Sequence, residues 1–359
     1  MYIIAEAGTS HGGSLEKGFK LIEKAAASGA DCVKFQVVFA DEIVHPLCGS
    51  IKLPGGETSI YERFKEIEKD EEFYLKLKQE AEKCGITFLA TPFGIKSAQL
   101  LRNIGVSMIK IASPELNHYP LLKEVSGYSL PLILSGGVST LTDIEKAVSI
   151  TGTGITFLHC VTSYPAPEED YNLSLIKTLS AVFGFYTGVS DHSKDPLLVP
   201  LLSLALGAVM LEKHITLDNS GGGLDDIISL NPSEFKKMSG EIKQYASGSV
   251  NMPDREDIYA DLEKRFGKTK VNTIAGDGIK RLAPSEKGNY GTTNRSLIAL
   301  RTIYPGEIIT EADFAPLRSE KNLKPGLSPE FADLIKGKTV RKKIENGEGI
   351  GFGSFFPEN

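Results

Sequence analysis

Short apolar runs alternate with amphipathic stretches over the first 247 residues. The runs fall at 2–5, 32–37, 87–90, 108–112, 132–134, 155–158, 186–189 and 209–211. Unbroken runs of this length suit strands covered on both faces, as in a parallel sheet; a strand with one wet face would alternate instead. The stretches between them carry helical spacing. Phe19, Leu21, Ile22 and Ala25 form one stripe of a helix starting at Leu15, and the pattern stops at Gly29. Thr140 reads as the N-cap of a helix over 141–150. Asn231-Pro232-Ser233-Glu234 supplies a cap, a first-turn proline and an acidic third position. Eight strand–helix alternations predict an α/β fold, a (β/α)8 TIM barrel over residues 1–247. The structural rival is an open doubly wound sheet. No G-x-G-x-x-G follows the first run, which weakens its dinucleotide-binding version.

Over 248–293 the pattern decays. Gly, Asp, Lys and Asn rise and apolar spacing is poor, apart from a short helical stretch near 258–266, so this segment reads as a linker. Residues 294–359 carry short apolar pieces, Leu297-Ile298-Ala299-Leu300 and Thr339-Val340. Turn signals separate them at Pro305-Gly306, Pro325-Gly326, Gly337, Gly347 and Gly349. A small domain of short strands and turns is expected, and a unit of that size must lean on something larger.

Composition narrows the function. A net charge of −6 offers no basic field for a nucleic-acid backbone, so any anionic substrate must be met by a local cluster of cations. Cys32, Cys48, Cys84 and Cys160 form no C-x-x-C pair, and a reducing cytoplasm is expected. The longest apolar stretch, 199–211, holds Pro200 and Ser203 and is too short to span a bilayer. No basic leader precedes the first run, so neither secretion nor a membrane span is expected.

In a barrel, the C-terminal strand ends form the active-site face. Here those ends carry Glu6, Lys34 with Gln36, Thr91, Lys110 with Ser113, Ser135, His159, Ser190 with His192, and Glu212 with His214. Polar groups at all eight ends are hard to explain as solvation alone. His192 and His214, on neighbouring expected strands, suit a divalent ion such as Mn2+, Co2+ or Zn2+ acting as a Lewis acid on a carbonyl; each could instead be a hydrogen-bonded barrel histidine. Lys34 and Lys110 lie inside apolar strands and need an anion. With the hydroxyls of Thr91, Ser113, Ser135 and Ser190 they make a phosphate and carboxylate pocket, the alternative being structural salt bridges to Glu6 or Glu115. Glu6 and Glu115 are candidates for proton transfer or for holding a water.

With these residues assembled, the chain resembles the N-acetylneuraminate (sialic acid) synthase family over nearly its whole length. The resemblance rests on the order and spacing of several pieces. They are Ile4-Ala5-Glu6-Ala7-Gly8-Thr9-Ser10-His11-Gly12-Gly13-Ser14, Val33-Lys34-Phe35-Gln36, Ala90-Thr91-Pro92-Phe93 and Ile109-Lys110-Ile111-Ala112-Ser113-Pro114-Glu115. Further along come His159-Cys160-Val161-Thr162-Ser163-Tyr164-Pro165, Val189-Ser190-Asp191-His192 and Glu212-Lys213-His214. From Asn294-Arg295-Ser296-Leu297 the chain resembles the family's antifreeze-like (SAF) domain, a β-clip.

The resemblance implies a condensation of phosphoenolpyruvate with an open-chain N-acetylated amino sugar. It implies His192 and His214 as metal ligands, with Mn2+ first and Co2+ or Mg2+ as alternatives. Glu6 would move a proton or position water, with Lys34 and Lys110 as its catalytic neighbours. Lys34, Thr91, Lys110, Ser113, Ser135, Tyr164 and Ser190 would bind phosphoenolpyruvate. Gln36, Glu115 and Asp225 would contact the sugar. A domain-swapped homodimer is implied, in which the SAF domain caps the partner's active site through an arginine; Arg318, Lys321 and Lys324 are the cations available, with Arg318 assigned to the sugar.

Three departures lie near the expected sugar side: Gly221-Gly222-Gly223-Leu224-Asp225-Asp226, Ser135-Gly136-Gly137, and the segment from Leu317 to Gly326. They leave the acceptor open between N-acetylmannosamine and a 6-deoxy-diacetamido hexose. Three rivals remain. A synthase acting on a sugar phosphate needs a second phosphate site, for which no further cation cluster is seen. A metal-dependent sugar isomerase or epimerase would not need two lysines. A saccharide-binding protein would not need a filled catalytic mouth.

Overall fold

The computed structural model describes residues 1–53, 56–221, 223, 225–246 and 255–356. The eight apolar runs are eight strands: β1 (Tyr2–Gly8), β2 (Cys32–Val37), β3 (Thr87–Pro92), β4 (Ile109–Ile111), β5 (Leu132–Ser135), β6 (Thr156–Cys160), β7 (Tyr186–Asp191) and β8 (Met210–His214). They pair in parallel in the order β3-β2-β1-β8-β7-β6-β5-β4, and the two end strands lie against each other, closing the barrel.

Alternation along each strand sorts side chains to two places. Ala5, Val33, Phe35, Phe88, Ile111, Leu134 and Phe157 point outward into the main core under the helices. Ile4, Cys32, Leu89, Ile133 and Leu158 point inward and fill the barrel, with Tyr2, Met108 and Met210 below them. The next inward positions up the strands are the polar ones, so the chemistry rests on an apolar plug.

The expected helix signals hold. Ser14 caps the helix Leu15–Ala27 by accepting from Lys17 N. Thr140 and Asp143 form a capping box on Leu141–Thr151. Asn231 Oδ1 accepts from Glu234 N while Glu234 Oε2 accepts from Asn231 N at the start of Pro232–Ala246. A small antiparallel hairpin, Ser50–Leu53 with Gly56–Ser59, follows β2.

The stretch read as a linker holds more order than its sequence suggests. Helices Arg255–Phe266 and Lys268–Ala275 occupy its first half; residues 248–254 lie outside the described residues. Ile258, Leu262, Val271 and Ile274 join the main core. The C-terminal unit pairs β9 (Arg295–Ala299) antiparallel with β10 (Phe314–Arg318) around its own core of Leu297, Ile303, Ile309, Ile344 and Ile350. As expected of so small a unit, it rests on the barrel. Arg318 bridges to Val44, Asn117 exchanges two hydrogen bonds with the Arg295 backbone, and Lys146 pairs with Glu330 at 2.9 Å on the surface. No helix among the described residues is long and apolar enough to cross a membrane.

Candidate active site

Strand register brings the polar ends together. Glu6 pairs with Lys34 on one side and His214 on the other, Glu212 pairs with Ser190, and Gln36 with Thr91. In a parallel ladder such partners face the same way, here into the barrel mouth. Lys34 Nζ lies 2.9 Å from Glu6 Oε2 and 3.6 Å from Glu212 Oε2, and donates to Thr91 Oγ1. Lys110 Nζ donates to Ser135 Oγ at 2.5 Å and lies 3.8 Å from Glu212 Oε2. Ser190 Oγ donates to Glu212 Oε1. All of these side chains are buried.

Two lysines and two glutamates thus meet in a buried mouth. Burial pushes the Glu6 carboxyl up, against the pull of Lys34. Burial pulls the Lys110 ammonium down. Burial acts on Glu212 too, but Lys110 and Lys34 overrule it and hold that carboxyl below its usual range. Glu212 is a participant whose role the sequence does not announce: its Oε2 is shared by the two cations.

The expected sugar contacts Gln36 and Asp225 gather at the same rim. Gly8 has a φ of +53°, and a Cβ there would lie 3.3 Å from Gln36 Nε2, 3.4 Å from Glu6 Oε1 and 3.6 Å from Asp225 Oδ2. Burial raises the Asp225 carboxyl. Gly222 and Leu224 of this loop lie outside the described residues.

His192 and His214 come together as expected, with ring centroids 5.4 Å apart, and the half-exposed Tyr164 ring stacks on His192 at 4.3 Å. His192 Nδ1 lies 2.9 Å from Val161 O and so carries a hydrogen, which leaves Nε2 as the nitrogen available to a metal; burial pulls the ring down, but the adjacent Cys160 and that hydrogen bond push it up to about 9. Burial, then the neighbouring His192, holds His214 well below its ordinary value, so its ring is neutral. Two imidazoles on adjacent strand ends fit a divalent ion, which would take the place of the second proton on His192. Among the described residues no group of three His, Cys, Asp or Glu side chains forms a fuller cage, so the other positions would fall to water or substrate. On the outer face, Lys213 Nζ meets Asp191 Oδ2 at 2.6 Å, and the Tyr171 hydroxyl donates to Asp191 while accepting from His192 N at 2.7 Å. That buried network fixes the backbone that carries His192.

Two readings change. His159 turns away from the mouth: its ring Nε2 meets Tyr171 O outside the barrel, and burial pulls it down to about 3. Its neighbours Leu158 and Cys160 take the inward positions. The Ser135-Gly136-Gly137 departure is a matter of packing. A Cβ on Gly136 would strike Phe157 Cζ at 2.2 Å, and one on Gly137 would strike Thr162 Oγ1 at 2.1 Å.

Glu115 is fully buried and its oxygens are taken. Arg295 Nε donates to one and Arg318 Nη2 to the other, at 2.6 Å for the second. Of the three C-terminal cations considered, Arg318 is the one that reaches Glu115, and it does so within the same chain, whereas the resemblance implies an arginine from a second copy. Arg295, which sequence reading passes over, also donates to the carbonyls of Glu42, Ile43, Phe93 and Pro316.

Burial alone would raise the Glu115 carboxyl, but the Arg295 and Arg318 guanidiniums hold it below the usual range. A carboxyl depressed in the folded state contributes stability above its unfolded value of about 4.3 and loses it as pH falls through the folded one. The melting temperature should therefore fall between about pH 5 and pH 3 more steeply than in Glu115→Gln, whose deficit at neutral pH narrows in acid. Parallel curves would remove Glu115 from the acid response.

Buried cations beside paired imidazoles at the strand C-termini define a barrel enzyme for an anionic substrate. Similarity to known proteins sharpens that class. The chain belongs to the NeuB family, whose model matches residues 21–251, and a SAF domain model matches residues 294–353. It is 35% identical over 358 residues to the spore coat polysaccharide biosynthesis protein SpsE of Bacillus subtilis, covering 98% of this chain and 92% of that one. It is 33% identical over 350 residues to the N,N'-diacetyllegionaminic acid synthase of Campylobacter jejuni, covering 95% of this chain and 97% of that one. The crystal structure of the Bacillus subtilis SpsE superposes with a TM-score of 0.81 at 33% identity, covering 100% of this chain and 96% of that one.

Proposed function

We propose that this protein condenses phosphoenolpyruvate with an open-chain N-acetylated amino sugar, giving a nonulosonic acid and phosphate. The observation that carries the reading is the Lys34–Glu212–Lys110 cluster, buried beside His192 and His214 at one rim. Membership of the NeuB family and similarity to a diacetyllegionaminic acid synthase support it.

Lys34 and Lys110 bind the phosphate and carboxylate, with Thr91, Ser113, Ser135, Ser190 and Tyr164 donating hydroxyl hydrogen bonds. Gln36 and Asp225 orient the sugar so that its aldehyde carbon meets C3 of the enol phosphate, where the new C–C bond forms. Water then adds at C2, and phosphate leaves with cleavage of its C–O bond. Glu6, its carboxyl raised by burial against the pull of Lys34, positions that water and takes its proton. A divalent ion held by His192 and His214, Mn2+ in this proposal, supplies Lewis-acid polarisation of the aldehyde. Arg318 closes the sugar side with Glu115. A cytoplasmic homodimer is part of the same reading; exchange of C-terminal domains would put a second copy's arginine where this chain's own Arg318 lies.

The acceptor is proposed to be a 6-deoxy-diacetamido hexose, with N-acetylmannosamine as the second choice. The test is PEP-dependent phosphate release with a panel of N-acetylated hexoses and sugar phosphates. Release with a sugar phosphate alone, or sugar isomerisation without phosphoenolpyruvate, would overturn the reading. In the active pair, Lys34→Ala should raise the KM for phosphoenolpyruvate at least tenfold, by roughly the worth of one charge-assisted hydrogen bond, and move the sugar KM little. Equal shifts in both would take Lys34 out of the phosphoenolpyruvate subsite.

A further inference from the structure

The loop after β5 starts directly from Ser135 and the loop after β6 carries Tyr164, and both loops are held from outside the barrel by the connector that leads to the C-terminal domain. Glu286 is 1% exposed. Its Oε1 accepts from Val138 N at 2.7 Å and from Thr162 N at 2.8 Å, and its Oε2 accepts from Ala283 N at 3.1 Å. The opposite faces of the same two residues are held as well. Asn294 Nδ2 donates to Val138 O at 3.0 Å and Asn289 Nδ2 to Thr162 O at 3.4 Å.

Val138 has a φ of +41°, a conformation a β-branched residue adopts only when its surroundings impose it. The imposed shape has a consequence one residue back, where Gly137 N donates to Ser113 Oγ at 3.0 Å. Released, Val138 would relax toward negative φ and carry Gly137 off Ser113 and the loop off Ser135.

We propose that Glu286 is a positioning residue for the phosphoenolpyruvate subsite, stapling the β5 and β6 loops in the geometry that presents Ser113, Ser135 and Tyr164 to the enol phosphate. The inference rests on the function proposed above. Glu286 touches no substrate; it acts through two backbone N–H groups. Because it sits in the connector, the segment that tethers the C-terminal domain also sets the shape of the anion pocket.

The test is isothermal titration of the purified full chain with phosphoenolpyruvate alone, comparing wild type, Glu286→Gln and Arg281→Ala. An amide offers one oxygen, so at least one of the three N–H groups is left facing another donor. Arg281 lies on the same connector in an exposed ion pair with Asp277 and serves as the control. Glu286→Gln should weaken phosphoenolpyruvate binding roughly tenfold, the scale of one charged hydrogen bond, with the stoichiometry kept. Arg281→Ala should stay within twofold of wild type.

A variant that merely unfolds in part loses binding sites and keeps the Kd of those that remain. An unchanged Kd, a loss of stoichiometry alone, or an equal weakening in Arg281→Ala would overturn the proposal. Wild type that binds no phosphoenolpyruvate would end the proposed function and this inference with it. Wild type that binds as tightly as Glu286→Gln ends the inference alone.

Discussion

His214→Ala should abolish turnover, by at least about a thousandfold in kcat, while the barrel stays folded. The loss is large because the aldehyde needs an electrophilic partner, and His214 and His192 are the imidazoles the mouth provides, 5.4 Å apart. The fold should survive because His214 reaches into a polar rim. Its nearest ionic neighbour is Asp225, at 3.9 Å, and water can fill the space it leaves. Three measurements decide the matter: kcat, the melting temperature, and the metal content of the protein after dialysis against a chelator and reloading with Mn2+. A variant that still takes up one equivalent of metal, or turns over near the wild-type rate after chelation, would remove His214 from the ion.

The second large effect concerns stability. Arg295→Ala should cost about 3–5 kcal/mol, because it leaves the fully buried Glu115 with only Arg318 and strands carbonyls that the guanidinium had satisfied. In a protein of this size that corresponds to a fall in melting temperature of very roughly 6–15 °C. Glu115→Gln in the same chain should recover part of the loss, since it removes the charge left behind. Scanning calorimetry of the two single variants and the double variant measures both terms. A melting temperature within about 2 °C of wild type for Arg295→Ala would show that water reaches the pair and that burial does not govern it.

The barrel is legible in the sequence because a strand covered on both faces needs no polar alternation until its end. The same property exposes the mouth: Lys34 and Lys110 interrupt runs that are otherwise apolar, and a buried ammonium demands a partner. Period-2 counting also carries the correction for His159. With Leu158 and Cys160 facing in, the residue between them must face out.

What stays hidden is whatever depends on contacts distant in sequence. Glu212 as the group shared by two lysines requires knowing that β2, β4 and β8 meet across one closed barrel. Arg295 meets Glu115 across 180 residues, and nothing local to either announces it. The glycine at 136 looks like a change in specificity until Phe157, on the next strand, occupies the space of its missing side chain. The helix Lys268–Ala275 escapes notice, and Arg255–Phe266 shows only as a short stretch near 258–266, because few apolar residues suffice to seat them on an existing core.

The Asp191–Lys213 pair behind His192 has no exposure to solvent. Dissolved ions cannot enter to screen it, so the loop bearing that histidine is insulated from ionic strength. The Lys146–Glu330 tie between barrel and C-terminal domain lies in open water and has no such protection. Salt therefore acts unevenly on this molecule, weakening that surface tie while the buried pairs of Arg295 and Arg318 with Glu115 still hold the domain to the barrel.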